Sequence, residues 1–173
     1  MSAIETVTRK AGWKAGEKGD GARGRGVAFA KYKNLAHVEV VAEVEIDRKT
    51  GRVRVPHAFA VADAGQIINP DGLANQIGGG MIQSTSWTLH EAVRFDRNGI
   101  TSRDWSGYPI LTMPEAPDMQ IVLIGRAQEK PLGAGEASQG PMAAAIANAF
   151  ANATGHRLRD LPFSPERVQA ALG

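Results

Sequence analysis

The sequence predicts an α+β fold in which a small mixed or antiparallel sheet packs against two main buried helices and a short C-terminal helix. Three observations support this prediction. The chain has 173 residues, enough for one sizeable hydrophobic core. Apolar and polar residues alternate over residues 37–46. Two long segments, 69–90 and 139–155, carry the start and stop signals of helices.

The N-terminal segment is polar, basic and rich in glycine. Residues 1–35 hold eight Lys or Arg against three acidic residues, whereas residues 36–173 hold twelve against fifteen. No hydrophobic period runs through residues 1–26, so we predict a flexible arm there and a folded domain over residues 27–173. Arg23 and Arg25 alternate with glycine, but interleaved aromatics and a long basic face are missing. We expect no nucleic-acid partner.

The first strand pair is predicted from a period of two. Val38, Val40, Ala42, Val44 and Ile46 alternate with residues that are mostly polar, as in a strand with one buried face. A turn over residues 47–51 leads into a second predicted strand, 52–62, whose Pro56 indicates an edge or a bulge. Two arginines of this strand are expected to face two glutamates across the hairpin, namely Arg52 and Arg54 opposite Glu43 and Glu45.

A long helix is predicted from Asn69, as its N-cap, to about His90. It contains three consecutive glycines, 78–80, each costing on the order of 1 kcal/mol relative to alanine within a helix. One helix face carries two amides with bare backbone between them, formed by Gln76, Gly79, Gly80 and Gln83. Such a face permits close approach, either by a neighbouring element or by a ligand, and spacing alone leaves both open.

The remaining elements follow from turn and cap signals. A strand-like piece at 92–95 and a turn at 96–99 precede a proline-rich loop and a further strand at 119–124. A second helix is predicted over 139–153, capped by Ser138 and ended by Gly155. It is apolar nearly all round and should be buried. A short final helix opens at residues 164–166.

One carboxylate, Glu136, stands between a glycine loop and the buried second helix. The helix macrodipole and unsatisfied N–H groups favour its ionised form, and desolvation opposes it. A carboxylate held ionised in a poorly hydrated place can act as a general base. A carboxylate that only satisfies loop amides is the structural alternative, and the residues alone do not decide between them.

The residues that several other kinds of site require are missing from the sequence. Cysteine is absent, which excludes disulfides and Fe–S ligation by this chain. The four histidines show no metal-ligand spacing, and the stretch 90–94 has Arg94 where a zinc-protease motif requires histidine. No window approaches the ~20 apolar residues of a membrane span, and the start shows no export signal. We expect a cytoplasmic or periplasmic protein.

Five motifs occur in a fixed order along the chain: 76–83 (QIGGGMIQ), 108–109 (YP), 113–117 (MPEAP), 133–137 (GAGEA) and 147–155 (ANAFANATG). Together they resemble the C-terminal part of the molybdopterin-binding subunit of the xanthine dehydrogenase and aldehyde oxidase family, and the isoquinoline 1-oxidoreductase type in particular. The resemblance covers about residues 25–168. It implies that residues 27–173 are a C-terminal domain fragment that binds a molybdopterin-type molybdenum cofactor.

The resemblance also implies roles for single residues. The glutamate of the Gly-x-Gly-Glu motif is the active-site base in that family, which implies the same role for Glu136. The glutamine that opens the helix motif lies beside the molybdenum centre, which implies Gln76. Gly79, Gly80 and Gly135 would then let the cofactor approach the backbone closely.

The implied reaction is hydroxylation of an N-heterocycle or an aldehyde with water as the oxygen source. The family's subunit is several times longer, so the resemblance implies a fragment that is inactive in isolation. Its implied partners are the remainder of the molybdenum subunit, an Fe–S subunit that supplies the cysteines, and a small-molecule substrate. A different class stays open, a non-catalytic α+β binding or assembly module that retains the fold without the cofactor.

Overall fold

The structure is a computed structural model that describes residues 2–33 and 36–173. Its helices are α1 (Ala3–Lys10), α2 (Pro70–Leu89), α3 (Gln139–Thr154) and α4 (Pro165–Leu172). Its strands are β1 (Arg23–Tyr32), β2 (Ala36–Ile46), β3 (Val53–Arg54), β4 (His57–Asp63), β5 (Phe95–Asp96), β6 (Gly99–Ile100) and β7 (Asp118–Ile124). A 3₁₀ helix spans Met113–Glu115. No helix of the described ranges is both long and apolar enough to cross a membrane.

The main sheet is mixed, and its strand order is β1-β2-β4-β7 with β3 beside β2. The β1–β2 and β2–β4 pairs are antiparallel, whereas β4 and β7 run parallel. The parallel pair requires a long crossover, which α2 and the proline-rich loop provide. The predicted α+β class with a small mixed sheet is confirmed.

The inner face of the sheet carries the main core. The predicted inward residues of β2, from Val38 to Ile46, are buried there together with the apolar sides of α2 and α3. Helix α3 packs so closely on β1 that a side chain at Gly24 or Gly26 would collide with the α3 backbone. Phe150 of α3 meets Phe163 edge-on at 5.5 Å between ring centroids. Both long helices are therefore buried, as predicted.

The outer face of the sheet is partly covered by a helix that we did not predict. Residues 3–10 form α1, whose Val7 packs with Val41 and Val61 in a second apolar cluster. The expectation of irregular chain through residue 26 is thus wrong, since β1 also begins at Arg23. The sequence did hold a signal, because Ser2 and Glu5 form a reciprocal capping box.

Two local predictions are corrected. The strand expected over 52–62 is split into β3 and β4, with Pro56 at the break. Arg54 lies opposite Glu45 in the β2–β3 pair, as predicted, but Arg52 does not lie opposite Glu43. Glu43 and Glu45 form their ion pairs with arginines of β1, at 2.7 Å to Arg25 and 3.2 Å to Arg23. Each of these two arginines lies directly opposite its glutamate in the β1–β2 pair.

Candidate active site

The loop that carries Glu136 follows β7 and is tied to the end of β4. Leu132 N–H donates to the Ala64 carbonyl at 2.9 Å, and Arg126 N–H donates to the Gly65 carbonyl at 3.1 Å. The Arg126 side chain also pairs with Asp63 at 2.9 Å. These bonds hold both sides of the loop base, so the Gly133–Glu136 segment is presented from a rigid sheet edge.

Glu136 lies in the turn that precedes α3. Its backbone carbonyl accepts from Gln139 N–H at 3.3 Å, and its side chain is exposed. One carboxylate oxygen, Oε2, accepts from the Tyr32 hydroxyl at 3.3 Å. Tyr32 is the last residue of β1, 104 residues away, so the contact depends on α3 lying across β1.

Gln76 reaches the same loop from α2. Its Nε2 donates to the Gly135 carbonyl at 2.6 Å across 59 residues of sequence. Gln76 is itself exposed, and this bond leaves its carbonyl oxygen and second N–H available to a ligand. The Gln76 amide thus contacts the residue directly before Glu136. The structure therefore brings together the amide and the glutamate that were both predicted from the sequence.

The same face of α2 continues along the start of α3. Ser138 Oγ donates to the Ile77 carbonyl at 2.8 Å, and Ser84 Oγ donates to the Gln139 carbonyl at 2.7 Å. Gln139 Nε2 donates to Gln83 Oε1 at 2.6 Å. Ser138 stands at the predicted cap position, but its backbone is helical and its hydroxyl caps no α3 amide. The predicted cap is corrected, because the hydroxyl joins the two helices.

The three glycines of α2 have different surroundings. A side chain at Gly80 would collide with Ser138 Oγ, and one at Gly78 would come within 3.2 Å of Ile121. Gly79 is exposed, and a Cβ there would meet nothing within 4 Å. Close helix packing thus accounts for Gly80, whereas no contact within the described part of the chain accounts for Gly79.

Two further glycines, Gly133 and Gly135, are also exposed with open space beside them. Together with Gly79 and the Gln76 amide they form a surface of bare backbone and hydrogen-bonding groups next to Glu136. Such a surface fits a large polar cofactor, because a ligand can come close to the backbone where side chains would otherwise block approach.

Two cavities of the described chain lie away from this surface. One, of about 400 Å³, is bounded by the 13–20 segment and by Arg25, Glu43 and His57. The other, of about 760 Å³, lies between β3 and Phe163. Within residues 2–33 and 36–173 no three His, Asp or Glu side chains are grouped as metal ligands. The surface around Glu136 is open and not enclosed.

Sequence reasoning missed two residues of this surface. Tyr32 holds Glu136, and nothing in its sequence surroundings predicts a contact with a residue so distant. Ser138 had a signal, the serine before a helix, but the signal pointed to capping.

Known proteins match both the sequence and the fold of this chain. Residues 3–117 match the family model described as molybdopterin cofactor-binding domain. The chain therefore belongs to this family of molybdopterin cofactor-binding domains, and the resemblance to the molybdopterin-binding subunits of the xanthine dehydrogenase family is confirmed. The matched range ends before Glu136.

Two curated relatives are similar over most of the chain. One subunit of the nicotinate dehydrogenase of Pseudomonas putida is 47% identical over 163 residues, which are 90% of this chain and 14% of that protein. The beta subunit of isoquinoline 1-oxidoreductase of Brevundimonas diminuta is 31% identical over 169 residues, 97% of this chain and 21% of that protein. The chain thus spans 14% and 21% of the lengths of these relatives.

Solved structures show the same fold. Quinoline 2-oxidoreductase from Pseudomonas putida 86 superposes with a TM-score of 0.74 at 30% identity, covering 79% of this chain and 18% of that one. Aldehyde oxidoreductase from Desulfovibrio desulfuricans gives a TM-score of 0.72 at 31% identity, covering 80% of this chain and 16% of that one.

Proposed function

We propose that this chain is the C-terminal, cofactor-binding part of a molybdenum hydroxylase, with Glu136 as its general base. The observation that carries the proposal is the 2.6 Å bond from Gln76 Nε2 to the Gly135 carbonyl. It joins the amide implied at the molybdenum centre to the residue before the implied base. The sequence-defined domain, 27–173, would act together with α1, which packs on the same sheet.

Three residues would hold the cofactor at this surface: Gln76 through its free amide groups, and Gly79 and Gly135 through the open space that lets the cofactor contact the backbone. Gly80 would contribute indirectly, because its packing against Ser138 sets the position of Gly79 on α2. When bound, the cofactor supplies the two-electron redox chemistry of the hydroxylation.

Glu136 supplies the proton transfer. Tyr32 holds Oε2, so Oε1 is the oxygen free to take a proton from the water that provides the product oxygen. The Tyr32 hydroxyl, as a donor to Oε2, orients the carboxylate. A base oriented in this way fits the expected contribution of about 10²- to 10⁴-fold to the rate.

The rest of the site must come from elsewhere. Glu136 and Gln76 are exposed, whereas a catalytic site excludes bulk water. The remainder of the molybdenum subunit would cover this surface, and an Fe–S subunit would accept electrons, since this chain has no cysteine. The isolated chain would be inactive.

The names of the relatives suggest the substrate class. They include nicotinate, isoquinoline, quinoline and aldehyde oxidoreductases, so the substrate would be an N-heterocycle or an aldehyde. All of these compounds offer an electron-poor carbon for attack by oxygen derived from water.

Isotope labelling of the complete enzyme tests this function. The polypeptide that contains this chain would be purified with its Fe–S partner and assayed in ¹⁸O-labelled water with nicotinate, quinoline and an aromatic aldehyde. We expect molybdenum and pterin in the protein and ¹⁸O in one product. A folded complex without molybdenum or pterin would instead support the non-catalytic assembly module. Hydroxylation by the isolated chain alone would contradict the need for a completed site.

A further inference from the structure

The free edge of β1 is protected along only part of its length. β1 pairs with β2 on one side and lies at the end of the main sheet. In an antiparallel pair, alternate residues direct their N–H and C=O groups away from the partner. On β1 these outward residues are Arg23, Arg25, Val27, Phe29 and Lys31, because external partners bind the backbone of the first three.

The first part of the edge is covered by side chains. Asp20 Oδ1 accepts from Arg23 N–H at 2.6 Å, and Asp20 N–H donates to the Arg23 carbonyl at 3.2 Å. Two asparagines of α3 continue the cover. Asn152 Oδ1 accepts from Arg25 N–H at 3.1 Å, and Asn148 Nδ2 donates to the Val27 carbonyl at 3.0 Å. These amides stand where a neighbouring strand would lie.

The cover ends at Phe29. Asn152 and Asn148 are one helical turn apart, and the next positions in this series are Ala144 and Gly140, both exposed. Neither has a side-chain polar group that could reach the strand. Within the described ranges no hydrogen bond reaches the N–H or C=O of Phe29 or Lys31. Helix α1 lies over β2 and β4, so the Phe29 ring is 70% exposed.

We propose that this open edge, Phe29–Lys31, pairs with the same edge of a second copy of the chain, in an antiparallel ladder centred on Ala30. In this register Phe29 lies opposite the partner's Lys31, and the partner's Phe29 lies opposite Lys31. The two outward residues of each chain then exchange four backbone hydrogen bonds, and the two sheets become one.

The register is self-complementary in its side chains. Each exposed Phe29 ring lies next to the Lys31 side chain of the second copy. No like charges therefore face each other, and a cation–π contact can form. On the inner face Ala28 lies opposite the partner's Tyr32, a small residue against a large one. Beyond Phe29 the Asn148 bond to Val27 blocks further pairing, which limits the ladder to this register.

Extending the asparagine series tests the proposal. In the Ala144→Asn chain the new amide should bind the Phe29 backbone and close the edge. Ala170→Asn, at an exposed position of α4, is the matched control. We expect sedimentation to show a dimer for the parent and the control, and a dissociation constant at least about tenfold weaker for Ala144→Asn.

Hydrogen exchange on the parent protein gives a test that needs no variant. The Phe29 and Lys31 amides should become protected as the concentration rises, while the exposed Phe95 amide should not change. A chain that stays monomeric at all concentrations would overturn the proposal. It would do so even if a longer partner polypeptide were then found to add a strand at this edge. A dimer that is insensitive to Ala144→Asn, with both β1 amides exchanging freely, would place the interface elsewhere and also overturn it.

Discussion

The side chain of Gln76 and the backbone of Gly135 are joined by a 2.6 Å hydrogen bond across 59 residues of sequence. This bond fixes the distance between the glycine-rich helix and the loop of Glu136. Because Gln76 makes this bond with only one N–H, its side chain is fixed in position while its carbonyl oxygen and second N–H remain available to a ligand. Substitutions on this face of α2 should therefore affect either the packing of the two helices or the space beside the loop.

Gly79 and Gly80 should respond in opposite ways to alanine in the isolated chain. Gly79→Ala should raise the free energy of unfolding by up to about 1 kcal/mol, because alanine favours the helix and its Cβ meets nothing. Gly80→Ala should lower it by about 1–2 kcal/mol, since the Cβ would displace Ser138 Oγ from the Ile77 carbonyl. Denaturant unfolding measures both, and equal effects would contradict the difference in packing.

In the complete enzyme, Gly79→Leu should prevent cofactor insertion. The new side chain would project from exposed backbone beside Gln76 into the space assigned to the cofactor. Molybdenum and pterin content should fall severalfold or more while the circular dichroism stays that of the parent. Ala170→Leu, which adds a leucine at an exposed position of α4 away from this surface, is the control and should keep normal occupancy. Full occupancy in Gly79→Leu would remove Gly79 from the site.

Glu136→Gln should lower turnover in the complete enzyme by about 10²- to 10⁴-fold with little loss of cofactor. Glutamine keeps the volume and can still meet the Tyr32 hydroxyl, but it cannot accept a proton. Glu129→Gln, an exposed glutamate of the same loop, should leave turnover unchanged. Reductive half-reaction rates, normalised to bound molybdenum, provide the measurement. A fall of less than about tenfold would show that Glu136 only organises the loop.

Glu39 should make the stability of the chain depend on pH. It is 7% exposed on the outer face of β2, and its Oε2 has no hydrogen-bond partner in the described part of the chain. Burial raises the pKa of Glu39 from 4.5 to about 7, and the negative charge of Asp63 adds to the rise. The folded state therefore binds a proton that the unfolded state releases.

The sign follows from this difference. The stabilising contribution is fully present below about pH 4.5, declines as pH rises, and is lost above about pH 7. Over this window the free energy of unfolding should fall by about 2–3 kcal/mol. Glu39→Gln should flatten the profile and be more stable than the parent at pH 8. Glu45→Gln, a partly exposed site on the same strand, should keep the parent's slope, and equal slopes in all three proteins would refute the assignment.

Local sequence signals determined most of the secondary structure. Helix α2 begins after Asn69 and ends at Leu89, within one residue of the prediction, because Asn69, Pro70 and the apolar run act over a few residues. Gly155 adopts the left-handed conformation that ends α3, with φ of 80°. The period of two placed the inner face of β2 correctly, and five ordered motifs identified the family.

Tertiary structure alone decided which of these residues meet. Three adjacent glycines are equivalent in sequence, yet Gly80 packs against Ser138 while Gly79 faces open space, because the direction of each depends on where α3 crosses α2. The same holds for Tyr32 and Glu136, which meet only when β1 lies under α3. Caps and periods act within a few residues through the backbone, whereas these contacts arise from the packing of distant elements, and no local pattern encodes it.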